Sequence, residues 1–165
     1  CDAAMKKIDI DAAPTRFGTG YPPPYDAACA GRRRWKLGDA AGLTQFGVNL
    51  LRLPPGQWSS QRHWHLAEDE FVMVLEGEGV LVTDDGEETL RPGDCAGFKA
   101  GEPNGHHIQN RSDAELVLLE VGARAKPGED AGTYPDIDLV LPKGAKGYEH
   151  RDGTPYGAAP LTPKA

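Results

Sequence analysis

The chain has 165 residues, 39% of them hydrophobic and 26% charged, which supplies one packed domain and is too apolar for a disordered segment. Eighteen Lys and Arg against 25 Asp and Glu leave a net charge of −7. With no long basic run, that balance argues against a nucleic-acid partner. No apolar run approaches the roughly 18 residues that cross a bilayer, so no membrane span is expected. The 21 glycines and 14 prolines suit short strands joined by tight turns better than helices.

Residues 1–40 show little periodicity and read as an N-terminal extension. Cys1 to Ala4 read as a remnant ahead of a start at Met5 rather than as a lipidated terminus. Tyr21-Pro22-Pro23-Pro24-Tyr25 is expected to be extended, because each Pro fixes its own φ and restricts the residue before it. Arg32-Arg33-Arg34 reads as a solvated charge run, with a phosphate-binding patch as the alternative. Cys1, Cys29 and Cys95 show no CxxC spacing; an odd, scattered set points to a reducing, cytoplasmic setting.

From residue 41 to 125 the pattern becomes a series of short apolar runs. Strands are predicted over 45–53, 70–75, 80–82, 87–90, 95–98, 106–110 and 115–121. Asp84-Asp85-Gly86 marks a hairpin, and Arg91-Pro92-Gly93-Asp94 places Pro and Gly as a type II turn requires. Near-regular strand spacing with no βαβ pattern predicts a β-sandwich or barrel. Residues 126–165 form a C-terminal extension, with an edge strand expected over 137–141.

Four of the five histidines fall in two pairs within this strand-rich stretch: His63 with His65, and His106 with His107. Side chains alternate along a strand, so His63 and His65 share a face with Cβ atoms roughly 6.5 Å apart. Rings so placed can share one ion at about 2.0–2.1 Å. Glu70 heads the next strand with Val72 and Val74 on its side, leaving Phe71, Met73 and Leu75 on the other. A carboxylate there is costly to bury unless a cation accompanies it. Glu68 and Asp69 read as solvated turn residues. If Asn110 faces the interior, His106 and Ile108 share that face and His106 is the fourth ligand; the opposite parity selects His107.

Gly56-x6-His63-x-His65-x4-Glu70-x6-Gly77 resembles the first cupin motif, with one additional residue before the first His. Gly86-x5-Pro92-Gly93-Asp94, followed by His106-x3-Asn110, resembles the second, with a longer interval before its His. The resemblance spans residues 45–121. It implies an all-β, double-stranded β-helix (jelly-roll) barrel and a three-His, one-Glu metal site made by His63, His65, Glu70 and His106, with His107 as the alternative ligand. It also implies extensions that wrap the barrel, as in sugar-phosphate-isomerase-like cupins.

Such a site leaves two octahedral positions open, and nitrogen with oxygen donors accommodates Fe, Mn, Ni, Co or Zn. The expected function is metal-dependent isomerase, epimerase or lyase chemistry on a small polar, sugar-like carbonyl compound. The alternatives are an Fe(II)-dependent dioxygenase and a non-catalytic binder of a small metabolite. Gln57, Gln61 and Arg62 are candidate substrate contacts. Candidate bases are the non-ligand histidine of the second pair, Glu102, and tyrosines from the flanks. The apolar strand faces predict a homodimer.

Overall fold

The computed structural model describes residues 7–157. Cys1, Met5 and the last residues of the tail lie outside that range, and with them the expectation for Cys1 to Ala4. Strand β1 (Thr15–Phe17) leads through a short 3-10 turn to β2 (Arg33–Lys36) and a single helical turn, α1 (Leu37–Ala40). The barrel strands follow: β3 (Phe46–Leu53), β4 (Trp64–His65), β5 (Glu70–Glu76), β6 (Gly79–Thr83), β7 (Gly86–Leu90), β8 (Cys95–Phe98), β9 (His107–Gln109) and β10 (Leu116–Ala123). Two short strands, β11 (Gly132–Tyr134) and β12 (Leu139–Leu141), close the described chain.

A six-stranded sheet in the order β1-β2-β3-β10-β5-β8 faces a three-stranded sheet, β7-β6-β9, and all pairings are antiparallel. A third sheet, β12-β11-β4, carries His65. This is the all-β, double-stranded β-helix architecture. The core lies between the two larger sheets, where Leu51, Leu53, Val74, Leu116 and Leu118 meet Leu81, Leu90 and Ile108. Burying each such side chain contributes about 1.5–3 kcal/mol. The parity of β5 follows from which face is covered: Val72 and Val74 are buried, while Phe71 and Leu75 remain exposed.

Turn chemistry sets the connections. Gly77 closes the β5–β6 turn at φ +80°, and a Cβ there would sit 2.5 Å from the Glu115 carbonyl oxygen, so only glycine fits. Gly93 takes φ +95° in the expected turn, where Asp94 N donates to Arg91 O at 2.8 Å.

The flanks depart from the sequence reading. The first forty residues add β1 and β2 to the large sheet, because Arg33–Lys36 finds a free edge on β3. The Tyr21–Tyr25 segment turns instead of running extended: the Pro23–Pro24 peptide is cis, and Tyr25 N donates to Pro22 O at 2.9 Å. Arg32-Arg33-Arg34 is not a solvated run. Arg32 is buried, Arg33 pairs with Glu115, and Arg34 is held by Glu120 through two bonds of 2.7 and 3.0 Å.

Candidate metal centre

His63 and His65 lie at the entry to β4, and an isolated antiparallel bridge pairs His63 with His106 on the neighbouring segment. Glu70 opens β5 opposite Gly122 of β10 and Phe98 of β8. Four side-chain atoms therefore converge. His63 Nε2 lies 3.1 Å from His65 Nε2, each lies 3.7 Å from Glu70 Oε2, and His106 Nε2 lies 2.8 Å from that same oxygen. Neighbouring ligands at right angles on an ion with bonds of about 2.1 Å would stand about 3 Å apart.

The hydrogen bonds on the far side of each ring decide what faces inward. His63 Nδ1 donates to the Gln61 carbonyl at 2.8 Å, and His65 Nδ1 donates to Asp130 Oδ2 at 2.6 Å. Each neutral ring then presents a lone pair at Nε2. Two such lone pairs facing one another at 3.1 Å repel unless a cation or a proton lies between them. The donor set fits a divalent transition metal, with the carboxylate of Glu70 to balance its charge. His106 stacks flat on Phe98 at 3.5 Å, and its buried Nδ1 has no partner among the described residues.

Electrostatics hold His63 neutral and Glu70 ionised, the forms in which each ligates, and favour a proton on His65 that an ion would displace. Burial, joined by the neighbouring histidines, lowers the His63 pKa to about 4 against the pull of Glu70. Burial disfavours the Glu70 carboxylate, but the His106 hydrogen bond and the charges of His63 and His65 outweigh it and bring its pKa to about 2. The His65 pKa is raised: burial opposes the charged ring, and Glu70 and Asp130 together prevail.

His107 turns away from the convergence. Its Nδ1 meets Ser60 O at 2.9 Å, its Nε2 meets Gln109 Nε2 at 3.0 Å, and Trp58 packs edge-on against the ring. Asn110 is buried and staples the chain through Leu53 O and Ala114 O, both at 2.8 Å. The geometry brings His106, and not His107, to Glu70.

The candidate substrate contacts are used elsewhere. Gln57 Oε1 accepts from Gly31 N at 2.7 Å, and Gln61 Nε2 donates to Tyr25 O at 2.8 Å. Arg62 holds both carboxylate oxygens of Asp136 at 2.7 Å, Gly105 O at 3.1 Å, and Asp84. None of the three lines the cavity at the histidines. Glu68 is not a free turn residue: its Oε1 accepts from Ala125 N at 2.9 Å and its Oε2 lies 3.9 Å from His65 Nδ1. Asp69 is tied to Ala100 N at 2.7 Å.

Asp130 lay outside the sequence reading, and a flank tyrosine, expected as a candidate base, takes another role. Asp130 accepts from Ala67 N at 2.8 Å with its other oxygen, so one carboxylate fixes both the chain after His65 and the ring itself. No local spacing marks it, because it reaches His65 only through the pairing of Gly132 with His65. Tyr134 stacks on His63 at a centroid distance of 5.6 Å and, with Tyr21 and Tyr148, walls the cavity. Burial raises the pKa of Tyr21 and Tyr134 well above the usual phenol value, so both keep their protons and serve as donors rather than bases. The cavity encloses about 480 Å³, and a second of about 370 Å³ reaches Glu70 and His106 from the β8 side.

The cupin domain model matches residues 49–122, the stretch that holds all four converging side chains. A sugar phosphate isomerase of the cupin superfamily from Silicibacter pomeroyi DSS-3 is 47% identical, with 93% of this chain and 98% of that one covered and a TM-score of 0.84. A protein from Acidithiobacillus ferrooxidans ATCC 23270, provisionally named a sugar phosphate isomerase, is 33% identical over 74% of this chain and 78% of its own, with a TM-score of 0.66. A polyketide cyclase from Streptomyces resistomycificus, 21% identical over 74% of this chain and 82% of its own at a TM-score of 0.59, shares the fold alone. Among curated protein sequences none matches. A jelly roll that gathers three imidazoles and a carboxylate at one mouth, with flanks shared along nearly the whole length of a relative, places this chain in the cupin superfamily.

Proposed function

We propose that the protein is a metal-dependent enzyme of the isomerase, epimerase or lyase type, acting on a small polar, sugar-like carbonyl compound. The observation that carries this reading is the pair of imidazole lone pairs held face to face at 3.1 Å beside an ionised Glu70. His63, His65, Glu70 and His106 would hold one divalent ion, Fe, Mn, Ni, Co or Zn. When bound, such an ion acts as a Lewis acid toward a carbonyl oxygen.

The chain's own groups do the rest. Gln61 O and Asp130 hold the two rings in the tautomer that ligates. Tyr134 and Tyr21, protonated and buried, supply O–H donors on the cavity wall, and Phe98 and Ile108 exclude water on the other side. The sugar phosphate isomerase names of the two more similar structures support the substrate class.

The test is elemental analysis of protein loaded with each of the five metals, followed by anaerobic turnover of a panel of aldoses, ketoses and their phosphates. Isomerisation by metal-loaded protein that a chelator abolishes is the expected result. Oxygen uptake with a diol by the iron form would replace this reading with the dioxygenase, and tight binding without turnover would replace it with a binder.

A homodimer and a cytoplasmic setting belong to the same proposal. The outer face of the large sheet leaves Phe17 exposed on β1 and Phe71 and Leu75 exposed on β5, and pairing would cover them. Cys29 and Cys95 are free thiols, which suits a reducing compartment. A monomeric mass by light scattering at micromolar concentration would remove the dimer.

A further inference from the structure

The end of the cavity away from Glu70 is basic in an acidic protein. Five cationic side chains, Arg16, Arg32, Arg34, Lys36 and Arg124, line it, against two carboxylates, Asp39 and Glu120. Glu120 is taken up by Arg34, and Asp39 is shared between Lys36 at 3.7 Å and Arg124. Among the described residues, no carboxylate lies within ion-pair distance of Arg16 or Arg32. Arg32 is buried, and its hydrogen bonds go to neutral oxygens: Gly18 O at 2.9 Å, Thr19 Oγ1 at 3.2 Å and Ser59 O. A buried guanidinium with no counter-charge is costly unless an anion completes it.

The sheet register connects this end to the histidines. Arg16 stands opposite Arg34, Lys36 opposite Asn49, Asn49 opposite Glu120, and Glu120 opposite Val72. One row nearer the mouth, Gly47 faces Gly122 and Gly122 faces Glu70. Neither glycine has a positive φ, and a Cβ added at either would meet nothing closer than 3.8 Å. Backbone conformation and packing would both accept a side chain at these positions, so what the glycines do is keep the floor open between Glu70 and the cations. From β5 to β2 the sheet advances three strand spacings, about 14 Å. Arginine and lysine side chains reach back over much of that span, leaving room for a short polyol chain.

We propose that this basic end binds a dianionic group, phosphate in class, carried by a substrate whose carbonyl end lies at the histidine cluster. Arg16 and Lys36 contact it, and Arg32 and Arg34, fixed by their neighbours, supply the field behind them. The placement of the carbonyl end rests on the function proposed above; the binding of the anion does not.

The experiment titrates inorganic phosphate into metal-free protein by calorimetry, with acetate as the monoanionic control. Wild-type protein is expected to bind phosphate saturably and more tightly than acetate. The Arg16→Ala/Lys36→Ala double variant should weaken binding by about tenfold or more, since charge-assisted contacts are lost. Its metal content should equal wild type. Arg16→Gln and Lys36→Gln singles, each monitored by thermal melting, carry the same test if the double variant does not fold. Absence of saturable phosphate binding, equal affinity for acetate, or folded variants that bind as wild type would each overturn the proposal. A protein that binds phosphate in this way yet takes up no metal would refute the function and leave this subsite standing.

Discussion

The barrel strands and the flanking segments build the same cavity by different means. In the barrel, residues 45–121 bring four donors together through short spacing and one pairing: one residue between the first two histidines, four more before Glu70, and a β-bridge from His63 to His106. In the flanks no spacing is involved. Asp130, Tyr134, Arg16 and Arg32 reach the cavity because short strands found open sheet edges. The comparison teaches that the barrel supplies the donors for chemistry, while the flanks orient those donors and shape what can enter.

The comparison breaks most severely if the barrel residues are removed. His63→Ala/His65→Ala is expected to lower metal affinity by more than about 100-fold, beyond the range typical of outer-sphere changes, as measured by competition with a chelating dye. Unchanged metal content would end the metal reading. A flank residue should matter one step less. Asp130→Ala should weaken metal binding by about 10–100-fold, with Asp130→Asn recovering part of the loss, because the carboxylate sets only the tautomer and aim of His65. If Asp130→Ala binds metal as wild type, the division of labour is wrong.

A pH series sharpens the comparison within the barrel. Burial lowers the pKa of both His63 and His107 to about 4. Between about pH 6.5 and 4 the unfolded chain therefore binds protons at these sites that the folded chain does not, so metal-free protein should lose stability as pH falls through that window. Melting temperatures across the window check this; His107→Gln should flatten the slope. The smallest effect is expected at Arg62, which ties Asp136 of the C-terminal flank to the β6–β7 turn. Arg62→Ala should cost about 1 kcal/mol, or about 2–4 °C in melting temperature, and leave metal loading intact.

Much of the barrel was legible beforehand. The strand at Glu70, the hairpin at Asp84-Asp85-Gly86 and the turn at Gly93 follow from alternation and turn chemistry, which act over a few residues. The choice between His106 and His107 followed by parity from an inward Asn110, but what buries Asn110 is partly distant: it bonds Ala114 O four residues on and Leu53 O 57 residues back. Arg62 shows where such reasoning stops. It lies beside the histidines in sequence, yet its partners are Asp84 and Asp136, and nothing near it in the chain announces either.

By itself, then, the order of residues determined an all-β chain with four donors on inward faces, because strand periodicity is a local property. Only the tertiary structure decided that Arg32 is buried and its two neighbours are paired, that Asp130 orients His65, and that two glycines open a path to a basic end. Those outcomes depend on which sheet edges remain free to pair and which charges the fold leaves unneutralised, and both are set by contacts between residues far apart in the chain.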